Sequence, residues 1–284
     1  MGIVLPTRWR IRVLSERRDV RLSRFRQVLL AAHRTAGYRE ALRSAGLTSP
    51  HAVTKVRSIE DALQTLPCQT QEQFRDAREA FDNPSAPLPA LEDLRCPISD
   101  DVRAAVLTGN FRESESVRVF DPVRVPEIRG FDPGLIAAPL EILLPWTGAQ
   151  PFGQPIPSVH RAIVAFSELE NGGLLESTRD LLWQTFEVPV FEQWRGADGS
   201  VLAWECEAHE GLHVVEDRLV VEQNSDRELI LTSLTDRRRP MLRLIAGFTG
   251  MLVDEPCACG RPGLRLCDVS PAAVERAMSA TASF

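Results

Sequence analysis

Apolar positions recur at two different periods along this chain, and the change between them divides it. From Arg21, "RLSRFRQVLLAAHRTAGYREALRSAGL" sets Leu22, Phe25, Leu29, Leu30, His33 and Ala36 near helical spacing, as one amphipathic helix or two with a break at Gly37. "SIEDALQTL" opens with Ser58 as an N-cap and Asp61 three residues on, and "TQEQFRDAREAF" repeats that pattern from Thr70. Residues 83–160 are rich in proline, which leaves room for short strands such as "VRAAVLT" and "SVRVF" but for no long helix. An α/β unit follows: "RAIVAF" reads as a buried strand, "GGLLESTRDLLWQTF" as a helix and "VPVFEQW" as the next strand. After Ser200 the segments "VLAWEC", "GLHVV", "RLVVE", "ELILTSL", "MLRLIAG" and "MLVD" are short and valine-rich, as strands are. The pattern predicts an α/β protein with a helical N-terminal segment over 1–80. An α/β core over 81–284, β-rich toward its end, joins it in one structural unit.

At 284 residues and 44% hydrophobic content, the chain is long enough to bury a sizeable core. No apolar run reaches the length of a membrane span, and the basic start "MGIVLPTRWRIRVLSERR" lacks the apolar centre of a signal peptide. A cytoplasmic protein without membrane attachment is expected. Charge is uneven: residues 1–45 carry eleven Arg against Glu16, Asp19 and Glu40, a net +8, which leaves −14 for the rest of a chain whose total is −6. Such an arm could contact nucleic acid. The favoured reading is a basic amphipathic helix lying on the protein's own acidic body, because Trp9, Phe25 and Tyr38 form no stacking platform. No nucleic-acid partner is expected.

Chemistry enters with "WECEAHEGLHVVEDRLVVE", where His209, Glu210 and His213 spell H-E-x-x-H, the zinc-peptidase signature. That signature requires a helix, and here Gly211 interrupts it between β-type segments with no later histidine to serve as a third ligand. If "LAWEC" and "LHVVE" are instead antiparallel neighbours, Cys206 and His213 lie close across the two strands and His209 sits at a solvated loop tip. Downstream, "EPCACGRPG" offers Cys257 and Cys259 with Gly260 allowing a sharp bend. Cys206, His213, Cys257 and Cys259 make a Cys3His set, the composition of a closed structural zinc site with no position left for catalytic water. Two unrelated buried cysteines are the plainer reading of "CAC". Cys68 and Cys96 stand alone and are expected to be small buried apolar residues.

The same residues resemble a known family. The run from "VPVFEQW" through "WECEAHEGLHVVED", "ELILTSLTD" and "CACGRPG" is similar to the later part of the large domain of phenylacetate–coenzyme A ligases, within the adenylate-forming (AMP-binding) superfamily. "GYREALRSAGL" and "SIEDALQTLPCQTQEQFRD" extend the likeness, so that it covers 1–78 and 161–267. The resemblance implies a truncated adenylate-forming large domain whose β-rich C-terminal part bears zinc, as several family members do. It also implies an ancestral activity in which ATP activates a carboxylate before transfer to coenzyme A.

The departures from the family pattern point the other way. The phosphate loop S-S-G-T-T-G-K-P has no counterpart, "PWTGAQPFGQP" being a faint echo without lysine. The adenine-side G-[AG]-E reads "FSE", which keeps Glu168 and puts Phe166 where a glycine stood. The aromatic motif reads "WRGADG", leaving Asp198, and Phe248 in "IAGFTG" replaces the ribose-binding aspartate. The family's catalytic lysine belongs to a C-terminal domain that is not expected here, and Lys55 is the only lysine of the sequence. We therefore expect a zinc-stabilised, non-catalytic relative, a pseudoenzyme that acts as a binding or accessory protein for an acyl or aromatic carboxylate or for a pathway protein. The alternatives are an acyl-activating or acyl-transfer enzyme with an altered or partner-completed site, and the H-E-x-x-H zinc peptidase.

Overall fold

The computed structural model describes residues 7–87, 90–95, 97–98, 102–109, 111–148, 157–168 and 173–272, with side chains from residue 18 onward and without that of Glu168. They fall into two compact units. The first takes the described residues before position 89 together with Glu216–Glu222 and Ile230–Ile245; the second takes the rest.

In the first unit α1 (Thr7–Ala32), α2 (Arg39–Ser44), α3 (Pro50–Thr54) and α4 (Ile59–Thr65) precede a two-residue strand β1 (Gln69–Thr70), α5 (Gln71–Asp76) and α6 (Arg78–Phe81). Of the two alternatives the chain takes the broken one: α1 stops at Ala32 and Gly37 lies in the connection to α2. There its N–H donates to Ala80 O at 2.7 Å, and a Cβ would sit 2.7 Å from the Phe81 ring. The expected caps form. Ser58 accepts the Asp61 N–H at 3.0 Å, while Thr70 and Gln73 exchange side-chain bonds in a full capping box. Phe25, Val28, Leu29 and Ala32 bury the inner stripe of α1. Its arginines find partners within the unit, Arg24 on Asp217 at 2.6 Å and Arg26 on Val56 O at 2.9 Å. Cys68, expected to be buried, is half-exposed at the start of β1, where a two-residue strand cannot cover it. Cys96 lies outside the described residues.

The second unit carries β2 (Ala104–Val106), β3 (Val117–Val119), α7 (Val125–Phe131), β4 (Leu135–Pro139), α8 (Leu140–Leu143) with a 3-10 turn (Leu144–Thr147), β5 (Ala162–Glu168), α9 (Glu176–Phe186), β6 (Val190–Arg195), β7 (Val201–Glu205) and β8 (Leu212–Val214). β9 (Leu219–Gln223), β10 (Glu228–Ser233), β11 (Leu244–Val253) and β12 (Arg265–Pro271) complete the order. Strands β3-β2-β4-β5-β6 are parallel, and β7, β8 and β12 continue the sheet antiparallel. Side chains on the parallel strands alternate between two apolar clusters. Ala105, Ile136, Ala138, Ile163, Ala165 and Val190 pack against α7, α9 and Trp146, whereas Ala104, Val106, Leu135, Ala137, Val164 and Phe191 face Phe111 and Phe166. A sheet covered on both faces explains why "RAIVAF" reads as a continuous apolar run rather than an alternating one. "MLRLIAG" and "MLVD", two segments by sequence, are one strand, β11, with an irregularity between Thr249 and Met251. β4 was hidden among the prolines of 83–160. No helix among the described residues is long and apolar enough to cross a membrane.

One polar contact in the first unit is exposed to a clean test. The buried Tyr38 hydroxyl accepts the Leu242 N–H at 2.9 Å, and burial holds its pKa above the ordinary phenol value. Tyr38→Phe leaves that N–H without a partner and should lower unfolding free energy by about 1–3 kcal/mol, read from urea melts. A change below about 0.3 kcal/mol would show that the bond contributes nothing net.

Candidate metal centre

Two turns build the centre. β7 runs to Glu205 and β8 returns antiparallel beside it, with Trp204 opposite His213 and Glu205 opposite Leu212. Side chains two apart on a strand share a face, so Trp204, Cys206 and His213 point the same way. The intervening turn is tied by His209 N–H to Cys206 O at 3.1 Å. It passes through Gly211 at φ +93°, where a Cβ would lie 2.4 Å from Leu266 O. Only glycine allows β12 to approach β8 that closely. β12 pairs Arg265 with His213, which brings the connection 254–264 back over the hairpin. That connection carries the second turn, closed by Gly260 N–H on Cys257 O at 2.8 Å.

Sequence reasoning named Cys206, His213, Cys257 and Cys259 as ligands, and the fold brings one donor atom from each to within 4.8 Å of the other three. Cys206 Sγ and Cys257 Sγ are 3.7 Å apart, and Cys259 Sγ lies 3.4 Å from His213 Nε2. The edges of a tetrahedral zinc site with ordinary bond lengths are about 3.8 Å between sulfurs and about 3.6 Å from sulfur to nitrogen. The donors therefore fit a four-coordinate ion with small adjustments. Cys206, Cys257 and His213 are buried and Cys259 is half-exposed.

Local fields prepare the donors unequally. Burial pushes the Cys206 thiol up to about 12, with the neighbouring sulfurs adding to the effect of enclosure. Cys259 is held below the usual thiol range: burial opposes this, but the backbone N–H and guanidinium of Arg261 and the nearby Cys257 and Cys206 outweigh it. Cys206 likewise accepts the N–H of Ala208, so these two sulfurs each receive an amide from the residue two places on. Such bonds orient a thiolate toward an ion on the other side. Burial, then the positive Arg261 and Arg265, lowers His213 and keeps its imidazole in the neutral form that a metal requires.

The H-E-x-x-H reading fails on geometry. Residues 209–213 are a turn entering a strand, with His209 and Gly211 at positive φ, so the two histidines are not stacked one helical turn apart. His209 lies exposed in the turn, as expected. Its ring stacks on Phe191 with centroids 4.4 Å apart, and Nδ1 lies 3.8 Å from Glu205 Oε1. Glu210 accepts the Ala258 N–H at 3.0 Å and pairs with Arg265 at 3.2 Å, which ties the hairpin to the cysteine turn.

Each of the four positions assigned to a degenerate nucleotide site has its own contacts. Phe166 ends in the cluster with Phe111, its ring stacked at 5.3 Å, and the Arg195 guanidinium lies 4.3 Å above Phe111 and 4.7 Å above Phe166. Phe248 packs instead on Trp194, 5.9 Å away, whose strand position places it on the opposite face from Arg195. Asp198 closes its own turn by accepting the Ser200 N–H at 3.0 Å and hydroxyl at 2.6 Å. Glu168 is the last residue of β5.

Sequence reasoning missed an acidic network beside the centre. Glu205 accepts two bonds from Arg179 on α9, at 3.0 and 3.1 Å, and one from the Glu192 N–H at 2.7 Å. The Glu192 carboxylate accepts from Trp194 Nε1 at 2.9 Å and from the Leu174 N–H at 2.6 Å. Burial raises Glu192. Burial of Glu205 is outweighed by His209 and Arg179, which lower it. The available signal was a lone Glu inside each of two mainly apolar strands, "VPVFEQW" and "VLAWEC".

No family model and no curated protein matches this chain. Solved structures do. An open conformation of 2-hydroxyisobutyryl-CoA ligase in complex with 2-HIB-AMP and CoA is 13% identical over 89% of this chain and 74% of the other, with a TM-score of 0.60. The same ligase in its thioesterification state is 15% identical over 91% and 69%, with a TM-score of 0.56. The chain shares the fold of these CoA ligase structures. That agrees with the α/β architecture expected from the sequence, and at this identity it speaks for the fold alone.

Two tests follow from the site. Cys257→Ser and His213→Ala should each lower metal content and thermal stability together, whereas His209→Ala should keep the metal and lose about 1 kcal/mol with its ring stack. Loss of metal from His209→Ala with retention by Cys257→Ser would reverse the ligand assignment. Glu192 adds a pH signature. Its raised folded pKa means that its contribution is complete below the unfolded value near about 4.3 and declines as pH rises through the folded value. Glu192→Gln should therefore flatten the fall in urea midpoint between acid and mildly alkaline pH; an unchanged slope would assign the dependence elsewhere.

Proposed function

We propose that this chain is a zinc-stabilised, non-catalytic relative of the phenylacetate–coenzyme A ligases, retaining the fold as a binding or accessory protein. The observation that carries the proposal is the filled position at Phe166. The resemblance assigns a glycine beside the adenine to this place; here a buried ring is enclosed by Phe111 and Arg195. Phe248, where the resemblance assigns the ribose-binding carboxylate, is an apolar ring packed on Trp194 and offers no acceptor to a sugar hydroxyl. A phosphoanhydride reaction needs groups that cradle and neutralise phosphates, and the sequence motif for that cradle has no counterpart.

The zinc reading rests on the donor set. Three sulfurs and one imidazole suit zinc over hard cations, and tetrahedral spacing with four protein ligands leaves no open coordination position. Bound there, the ion would cross-link β7, β8 and the 254–264 connection, so its binding energy becomes folding energy. The ligand or partner is of the class handled by such folds, an acyl or aromatic carboxylate or a protein of the same pathway, in the cytoplasm. The runner-up is an acyl-activating or acyl-transfer enzyme with an altered or partner-completed site; the fold shared with ligases bound to 2-HIB-AMP and CoA is what favours it.

Calorimetry with ATP and magnesium decides between the two. We expect no heat of binding at ATP concentrations up to about 1 mM, a bound set by the weakest affinities the method resolves here. A micromolar dissociation constant, or ATP–pyrophosphate exchange with any carboxylate, would replace the accessory reading with the enzyme.

A further inference from the structure

The residues around the four donors are organised as closely as the donors themselves. Arg261 donates from Nη1 to Glu207 Oε2 at 2.8 Å, lies with its Cζ 5.2 Å over the Trp204 ring, and hydrogen-bonds the Cys259 sulfur with its guanidinium while its backbone N–H reaches the same atom. Trp204 in turn lies against the His213 ring, centroids 5.5 Å apart. One planar cation thus touches a ligand sulfur, the aromatic wall behind a ligand imidazole and a counter-carboxylate on the hairpin turn. On the other side Arg265 holds Glu210, and Glu210 holds Ala258 between the two turn cysteines.

Charge gives this arrangement a purpose. A divalent ion with three thiolates and a neutral imidazole carries a net −1, half-exposed at Cys259. We propose that Arg261 is a positioning residue of the metal centre, which fixes the Cys259 sulfur, offsets the surplus negative charge and thereby slows escape of the ion through the exposed side. This rests on the metal reading above. The plainer account is that Arg261 makes only an exposed ion pair with Glu207, a contact worth little and indifferent to metal. The guanidinium fork separates the two, because an ammonium cannot serve sulfur, carboxylate and ring face at once.

The test uses the full chain loaded with zinc or with cobalt(II), as wild type, Arg261→Met, Arg261→Lys and Glu207→Gln. Zinc transfer to a chromophoric chelator gives the release rate, and the sulfur-to-cobalt charge-transfer band reports directly on the thiolates. Loss of an outer hydrogen bond to a ligand typically costs 10–100-fold in affinity, so Arg261→Met should release zinc about 10–100-fold faster and shift the cobalt band. Arg261→Lys should fall between it and wild type, and Glu207→Gln, which keeps the guanidinium, should remain nearer wild type. Release rate and cobalt band unchanged in Arg261→Met, with metal bound by wild type, would overturn this role and leave the metal centre standing. A wild-type chain that holds neither zinc nor tetrahedral cobalt would overturn both.

Discussion

Antiparallel register between β7 and β8 governs the candidate site. Setting Trp204 opposite His213 puts Cys206, two residues on, on the same face as the imidazole. A slip of one residue would turn His213 to the opposite face and dismantle the donor set. The register is enforced at the turn by Gly211, whose missing Cβ lets Leu266 O approach, and at the far side by the Arg265–His213 pairing of β12. Everything the 254–264 connection contributes, Cys257, Cys259 and Arg261, arrives because β12 is seated there.

Beside this centre lies a buried polar network that the parallel sheet would otherwise exclude. Glu205 and Glu192 sit in neighbouring strands within an apolar interior, and they are tolerated for different reasons. Glu205 stays ionised because Arg179 and His209 face it; Glu192 is displaced toward its neutral form by burial and serves as an acceptor for Trp194 and the chain at Leu174. Removing one partner of such a pair is more costly than never having buried it. The result anchors α9, β6 and the hairpin turn to one another, and His209 belongs to that anchor rather than to a metal.

A shared fold does not by itself carry chemistry with it. The shared architecture with 2-hydroxyisobutyryl-CoA ligase extends over most of the chain at 13–15% identity, a level at which packing patterns persist and site residues need not. In the Phe111–Phe166–Arg195 stack two rings and a flat cation cover one another on one face of the sheet.

The sequence by itself determined the elements and the donor set. Periodicity located the helices with their caps at Ser58 and Thr70 and most strands after residue 160, because those signals are local. The hairpin chemistry of Cys206 and His213, with the paired cysteines, was legible because few residue types bind metal and their spacing is informative. Tertiary structure decided what depends on distant partners. It gave Arg179 to Glu205, seated β12 on β8, recruited Arg261 to Cys259 and sent Phe166 and Phe248 to opposite faces. A contact between residues remote in sequence leaves no period in either segment, so only the folded chain could bring these together.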